Sequence, residues 1–203
     1  DGVVTCHIKQ APAGPGTFTG RLHALARARR APQSVDVGVD GPYGEWLDAS
    51  RYSRLLLVAG GIGVTPIASI FRELWREARA GRGGCAEGHL HGTVRLGEVI
   101  EPFAAALRAA VDDDMGGVFK VSICVDGEPL EDKTTYQGIP IIAGRPNFAD
   151  YVPELAQPTA KEVTNGSARV PHVFVCGPPG MTAILDTLCL KHDVSFHTEV
   201  FAY

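Results

Sequence analysis

Two glycine-containing segments carry the residues most suited to holding a ligand. In LLLVAGGIGVTPIASI (55–70), an apolar run leads through Gly61 and Gly63 to Thr65, Pro66 and apolar residues at helical spacing. Glycine permits positive φ and lets the backbone approach a ligand without an intervening Cβ atom. With Thr65 as N-cap and Pro66 at the first helical position, the helix would offer free N–H groups and its positive dipole end to a pyrophosphate. The alternative is a tight turn without a ligand.

The second segment, VFVCGPPGM (173–181), also leaves an apolar run and enters a helical pattern. Both segments therefore predict loops at the carboxyl edge of one parallel sheet, where open α/β folds bind ligands. Cys176 ends its strand at this edge and could contact a ligand between the loops. The alternative is a small core cysteine, which is a common role for this residue.

The elements that would position these loops follow an α/β pattern. From residue 54 onward, apolar runs alternate with helical segments, which is typical of a parallel sheet covered on both faces. We therefore predict a doubly wound α/β domain over residues 45–203. The predicted strands are 55–60, 89–96, 119–125, 173–176 and 194–201, with a short one at IPII; the predicted helices are 66–80, 98–111, 149–156 and 179–192.

The first part of the chain has a different sequence pattern. In residues 3–10 and 35–39, apolar and polar side chains alternate or β-branched residues predominate, which predicts strands of an antiparallel sheet. A short helix is predicted between them at 21–30. The chain starts without an initiator Met and already in strand-like alternation, so we expect a preceding segment.

Composition excludes several classes of protein. The 203 residues carry a formal net charge of −4 and are 45% hydrophobic, which argues against a nucleic-acid partner. The five cysteines lack CxxC or tight His/Cys spacing, so no metal site is predicted. Since no apolar run approaches the roughly 20 residues that cross a bilayer, we expect this chain itself to be soluble.

Five motifs in order carry a family resemblance: DGPYG, LLVAGGIGVTPIASI, GRPNF, VFVCGPPGM and FHTEVF. Together they resemble the dehydrogenase part of NADPH oxidases and ferric reductases, within the ferredoxin-NADP reductase superfamily. The resemblance implies that residues 1–44 are the end of an antiparallel FAD-binding β-barrel and that residues 45–203 bind NADPH. Hydride would pass from the nicotinamide to FAD.

The resemblance also implies roles for individual residues. Gly61, Gly63, Thr65 and Pro66 would hold the NADPH pyrophosphate, Cys176 would lie against the nicotinamide ring, and Gly177 and Pro178 would shape the second loop. Arg95 and Arg145 would meet the adenosine 2′-phosphate, because a guanidinium pairs with two phosphate oxygens and stays charged. Solvated surface arginines are the alternative for both.

For the flavin, GTFTGRL resembles the segment that contacts the FAD pyrophosphate, which nominates Gly16 and Thr19. Phe201 would cover the flavin ring, with Glu199 as the polar neighbour of the hydride site. Ala202 and Tyr203 follow the expected last aromatic residue, so Tyr203 is an alternative covering ring. The family's main flavin motif is not in this chain, and we therefore expect weak FAD retention.

The implied activity is that of an NADPH oxidase passing electrons from FAD to haem and oxygen, with superoxide as product. The alternative is a ferric-chelate reductase, and a third is a silent module that binds NADPH without turnover. The implied partner is a haem-bearing membrane domain of the parent protein, which places these residues at the cytoplasmic face of a membrane. An oligomer is also possible.

Overall fold

A computed structural model describes residues 6–8, 14, 16–28, 38, 40–41, 47–48, 51–82, 87–94, 101–113, 118–125, 135–158 and 170–199, with backbone alone for 87–94. The chain divides into two compact units, Asp1–Trp46 and Leu47–Tyr203. Each unit has its own internal contacts.

The described part of the first unit contains helix α1, Phe18–Ala28. The Thr17 hydroxyl caps it, since its oxygen accepts a hydrogen bond from the Gly20 N–H at 3.0 Å. The predicted helix at 21–30 is therefore confirmed, although it begins three residues earlier because of this cap. Of the predicted strands 3–10 and 35–39, residues 6–8 and 38 are described, and these lie in no strand. The end of a FAD-binding barrel stays a prediction.

The second unit is built on a seven-stranded sheet of order β4-β5-β3-β2-β1-β6-β7. All neighbouring strands are parallel except β4 and β5, which form an antiparallel pair. Two residues with positive φ, Gln137 and Gly138, join that pair, as a tight hairpin turn requires. The strands are β1 Tyr52–Gly60, β2 Glu87–Val94, β3 Phe119–Val125, β4 Thr135–Tyr136, β5 Ile139–Ala143, β6 Val170–Cys176 and β7 Ser195–Glu199.

Helices cover both faces of this sheet. They are α2 Val64–Arg79, α3 Glu101–Asp112, α4 Phe148–Ala156 and α5 Pro179–His192. Leu55 and Leu57 of β1 belong to a core cluster with apolar residues of α2 and α3. Leu56 and Val58 point the opposite way, into a second cluster with α4 and α5. The predicted doubly wound α/β domain is thus confirmed for the second unit, because successive residues of a strand point into cores on opposite faces of the sheet.

A buried arginine ties the sheet to α4. Arg54 near the start of β1 is 7% exposed, and its Nη1 donates to the carbonyl oxygen of Glu154 at 3.3 Å. Its Nη2 donates to the carbonyl oxygen of Gln157, the residue that ends α4. The last carbonyl groups of a helix lack partners within the helix and carry its negative dipole end, so a cation here is well placed.

We expect Arg54→Met to lower the free energy of unfolding by about 2 kcal/mol, because two carbonyl groups at the end of α4 then lose a charged donor. Urea denaturation followed by circular dichroism measures this change. Arg51→Met is the matched control, since Arg51 is exposed, and its stability should stay within about 0.5 kcal/mol of the wild type. Equal stability of the two variants would contradict a role for Arg54 in holding α4.

Candidate functional site

The chain reverses its direction of winding between β1 and β6. After β1 the strands add on one side as β2, β3 and β5, whereas β6 and β7 add on the other side of β1. The carboxyl ends of β1 and β6 therefore flank a topological switch point, where doubly wound sheets bind ligands. Both predicted glycine loops begin there, one at Gly61 and one at Gly177.

The two loops contact each other through their backbones. A Cβ atom on Gly63 would lie 2.0 Å from the carbonyl oxygen of Cys176, and one on Gly60 would lie 2.4 Å from Cδ of Pro178. A Cβ atom on Gly177 would in turn lie 3.1 Å from the backbone of Gly60. These glycines are required because one loop rests directly on the other. Gly63 has φ −58°, so this close contact, and not its backbone conformation, requires glycine there.

Gly61 is different, because it needs glycine for its own conformation. Its φ is +57°, and a Cβ atom there would meet nothing within 4 Å. The backbone at Gly61 is therefore left-handed, as predicted, and open to a ligand at the sheet edge. A side chain would be strained by the backbone alone and would also occupy this space.

The start of α2 differs from the prediction. A 3-10 turn, Gly61–Gly63, leads directly into the helix, which begins at Val64 with Gly63 as N-cap and without a side-chain cap. Thr65 and Pro66 thus lie inside the first turn, and their predicted capping positions are wrong. Since the first N–H groups of a helical segment lack partners within it, the available donors belong to residues 61–63. Among the described residues, no group hydrogen-bonds the buried Thr65 Oγ1, which suits a ligand oxygen.

Cys176 lies beneath the first loop. It is 1% exposed, belongs to the same core cluster as Ala59 and Val64, and is paired in register with Ala59 and Glu199. Burial, reinforced by the Glu199 carboxylate, raises the pKa of its thiol to about 11. The thiol is therefore protonated at neutral pH and is not an activated nucleophile, and its burial matches the alternative of a core cysteine.

Glu199 ends β7 beside Cys176, at the same sheet edge. Its Oε1 lies 3.6 Å from Nε2 of His197, and the His197 ring stacks on Phe174 with 4.7 Å between centroids. His197 was not singled out from the sequence. Its two-residue spacing from Glu199 in a strand was a usable signal, because alternate residues share a face.

Of the two predicted basic contacts, the structure describes Arg145, which follows the same sheet edge. Arg145 is exposed and lies two residues after the end of β5. The preceding residue, Gly144, donates its N–H to the carbonyl oxygen of Val125, which is the last residue of the neighbouring strand β3. Because three strand spacings separate β5 from β1, Arg145 lies about 14 Å along the edge from the first loop. Arg95 directly follows β2 but lies outside the described residues, as do Phe201 and Tyr203.

In the first unit, Gly16 precedes the N-terminus of α1 and Thr19 lies in its first turn. The hydrogen bond from the Gly20 N–H to Thr17 Oγ1 marks Thr17 as the cap of this 11-residue helix. Thr17 was missed as the cap, although a threonine before an apolar-periodic run was the signal for it.

The described residues contain neither a metal cluster nor a membrane-spanning helix. No group of three His, Cys, Asp or Glu within the described ranges is arranged to hold a metal ion. Of the helices that the structure describes, none combines the length and apolar character needed to cross a membrane.

Two glycine turns in contact at the switch point of a doubly wound parallel sheet define a dinucleotide-binding α/β domain. Residues 52–125, which run from β1 to β3, match the family model described as ferric reductase NAD binding domain. This match, together with the relatives described next, confirms the resemblance of the motifs to the NADPH oxidase and ferric reductase family of oxidoreductases.

Similarity to individual proteins agrees with this assignment. The chain is 26% identical to human Dual oxidase 1 over 210 aligned positions, which cover 92% of the chain and 13% of the oxidase. It is 27% identical to pig Dual oxidase 2 over 174 positions, covering 74% of the chain and 11% of that protein. Ferric reduction oxidase 4 of Arabidopsis thaliana is 40% identical over 60 residues, covering 29% of the chain and 8% of the oxidase. The chain thus spans a small part of each relative.

Proposed function

We propose that this chain is an NADPH-dependent dehydrogenase domain that passes hydride from NADPH to FAD and single electrons onward to haem and oxygen, with superoxide as product. The observation that carries the proposal is the pair of glycine loops in backbone contact at the switch point, with Gly61 open above them. A nicotinamide dinucleotide is the ligand class that the matched family model names.

Each part of the site has a separate task in this proposal. The N–H groups of residues 61–63 and the Thr65 hydroxyl bind the pyrophosphate, and Arg95 and Arg145 pair with the 2′-phosphate. Cys176 gives the nicotinamide ring an apolar contact, with Glu199 as its polar neighbour. Since positioning is the main contribution of such a site, small displacements of the loops should lower the rate of transfer.

FAD is assigned to the first unit, where Gly16 and Thr19 would hold its pyrophosphate at the N-terminus of α1. When bound, FAD supplies the conversion of a two-electron donor into single electrons. Phe201 would cover the flavin ring and move aside for the nicotinamide, with Tyr203 as the alternative.

The partner proposed for this domain is a haem-bearing membrane domain of the same parent protein, which would place residues 1–203 at the cytoplasmic face of a membrane. The support is the match to two dual oxidases, of which this chain covers 13% and 11%. In this proposal the membrane domain, and not residues 1–203, contacts the final electron acceptor.

A ferric-chelate reductase is the second candidate. It is favoured by the 40% identity to Ferric reduction oxidase 4 over 60 residues, which exceeds the identity to the dual oxidases over longer alignments. Both candidates share the NADPH and FAD steps and differ in the acceptor. Full-length parent protein assayed with oxygen and with a ferric chelate separates them.

The shared steps are tested with the purified chain and excess FAD, following NADPH oxidation at its own absorbance with ferricyanide as acceptor. We expect NADPH to be preferred to NADH and Cys176→Ala to lower turnover about tenfold, which corresponds to about 1.4 kcal/mol of lost transition-state stabilisation.

Cys189→Ala is the matched control. Cys189 is equally buried, and burial raises its pKa to about 11 as well, but it lies on α5 in the other core cluster. Its replacement should leave turnover near that of the wild type. Equal losses in the two variants would refute a ring contact for Cys176, and failure of NADPH to bind would refute the proposed function.

A further inference from the structure

Met181 lies in the first turn of α5, where it is anchored beside the second glycine loop. Its N–H donates to the carbonyl oxygen of Pro178 at 3.0 Å. Its side chain is partly buried and packs against the core cluster that contains Leu56 and Val58 of β1. The backbone bond and the core packing together hold this side chain at the sheet edge that carries both loops.

The end of the Met181 side chain contacts the backbone where both loops begin. A Cβ atom on Gly177 would lie 2.2 Å from Met181 Cε, and one on Gly60 would lie 2.9 Å from the same atom. The Cε methyl group therefore occupies the space that a side chain of either glycine would need. Because Gly60 ends β1 and Gly177 follows β6, one methyl group bridges the two strand ends at the switch point.

The chemistry of methionine suits this bridging position. Its side chain is unbranched, turns about three bonds and fills irregular gaps between other groups. A leucine has a similar volume, but it branches at Cγ and ends one atom earlier, so it places no methyl group at the Cε position. An alanine removes the bridge altogether. The contact therefore needs both the length and the unbranched shape of methionine.

We propose that Met181 is a positioning residue for the nucleotide, because its methyl group holds the first loop against the second and so fixes the N–H groups of residues 61–63. The inference deepens the proposed function and rests on it, since these N–H groups are the proposed pyrophosphate donors. Met181 itself does not have to touch the nucleotide. Hydrogen bonds weaken steeply when their geometry is disturbed, so a displaced first loop binds NADPH less tightly although every donor is still present.

Calorimetry with NADPH and urea denaturation of this chain test the role together. We expect Met181→Ala to raise the NADPH dissociation constant about tenfold, which corresponds to the loss of one hydrogen bond to a charged group. Met181→Leu conserves the side-chain volume, so its urea midpoint should stay near that of the wild type. Its dissociation constant should still rise at least about threefold, because packing is retained and the bridge is lost.

Leu188→Ala is the matched control for the core packing that Met181→Ala removes. Leu188 is a partly buried residue of the same helix and packs against the same core cluster, about two turns further along α5. Its variant should lower the urea midpoint about as much as Met181→Ala and should bind NADPH like the wild type. An unchanged dissociation constant in Met181→Ala, or equal losses of affinity in both alanine variants, would overturn the inference.

A double-mutant cycle tests the contact itself without any nucleotide. A Cβ atom on Gly177 has to displace the Met181 methyl group, so Gly177→Ala should lower the urea midpoint of the wild type. In the Met181→Ala background this methyl group is absent, and the same substitution should lower the midpoint less. Additive losses would overturn the inference and leave the proposed function standing. If NADPH does not bind to the wild type, the proposed function is wrong and the inference falls with it.

Discussion

Gly63→Ala is expected to lower the free energy of unfolding by at least about 3 kcal/mol and to abolish nucleotide binding. A Cβ atom at this position would lie 2.0 Å from the oxygen and 2.6 Å from the carbon of the Cys176 carbonyl. Both are backbone atoms of β6, which is paired with β1 and β7, so neither can move aside by rotating a side chain. The loops must separate, and the donors of residues 61–63 would leave their positions.

Urea denaturation of the purified variant measures the loss of stability, and calorimetry with NADPH measures binding. Gly180→Ala is the matched control, since a Cβ atom there meets nothing within 4 Å and the residue lies in the first turn of α5. It should be neutral or slightly stabilising, because alanine is the better helix former. If Gly63→Ala were as stable as Gly180→Ala, the contact between the loops would be refuted.

The second large effect is a loss of stability in acid that depends on His172. This residue is 2% exposed, its Nδ1 lies 2.9 Å from the Ser195 hydroxyl, and its ring stacks on Tyr52 at 4.1 Å. Among the described residues, its Nε2 has no hydrogen-bond partner. In the charged ring, the N–H at Nε2 would have no acceptor among the described residues, and burial together with His197 lowers the pKa of His172 from 6.5 to about 4.

The sign follows from proton uptake. Between about pH 6.5 and pH 4 the unfolded chain binds a proton at this histidine and the folded chain does not, so stability falls as the pH drops. The lowering of the pKa from 6.5 to about 4 corresponds to about 3 kcal/mol lost at or below pH 4. Urea denaturation at intervals from about pH 7 to about pH 4 measures the slope.

In His172→Gln this part of the slope should disappear, although the variant is less stable near pH 7. His192→Gln should retain the wild-type slope, because His192 lies at the end of α5, outside the contacts of His172. An unchanged slope in His172→Gln would show that another group causes the acid sensitivity.

The elements of the second unit were largely predictable because their signals are local. β3 at 119–125 and α5 at 179–192 have the predicted bounds, and β1 and β6 extend the predicted apolar runs toward their N-termini. Strands buried on both faces read as continuous apolar runs, and Pro179 suits the first position of a helix. β4 was missed, since a two-residue strand has no periodicity of its own and depends on its pairing with β5.

The position of the candidate site in the fold was predictable from the sequence, but the contacts within the site were less so. Both glycine loops were placed at one sheet edge from the order of strands and helices, and the structure brings them there. The contact that requires glycine at position 63 was not predicted, because the Cys176 carbonyl that excludes a side chain lies more than a hundred residues along the chain. The capping positions of Thr65 and Pro66 were wrong because a 3-10 turn starts the helical segment earlier.

The sequence by itself determined the class of domain, the sheet edge that carries both glycine loops and the family that the chain resembles. These depend on residue order, on the positions of the glycines and on the alternation of strand and helix patterns, and each of these features can be read from the sequence alone. The tertiary structure alone decided that Cys176 is buried beneath the first loop and that His197 is fixed on Phe174 beside Glu199. Burial and charge pairing arise between strands, so they become visible only when the strand register is known.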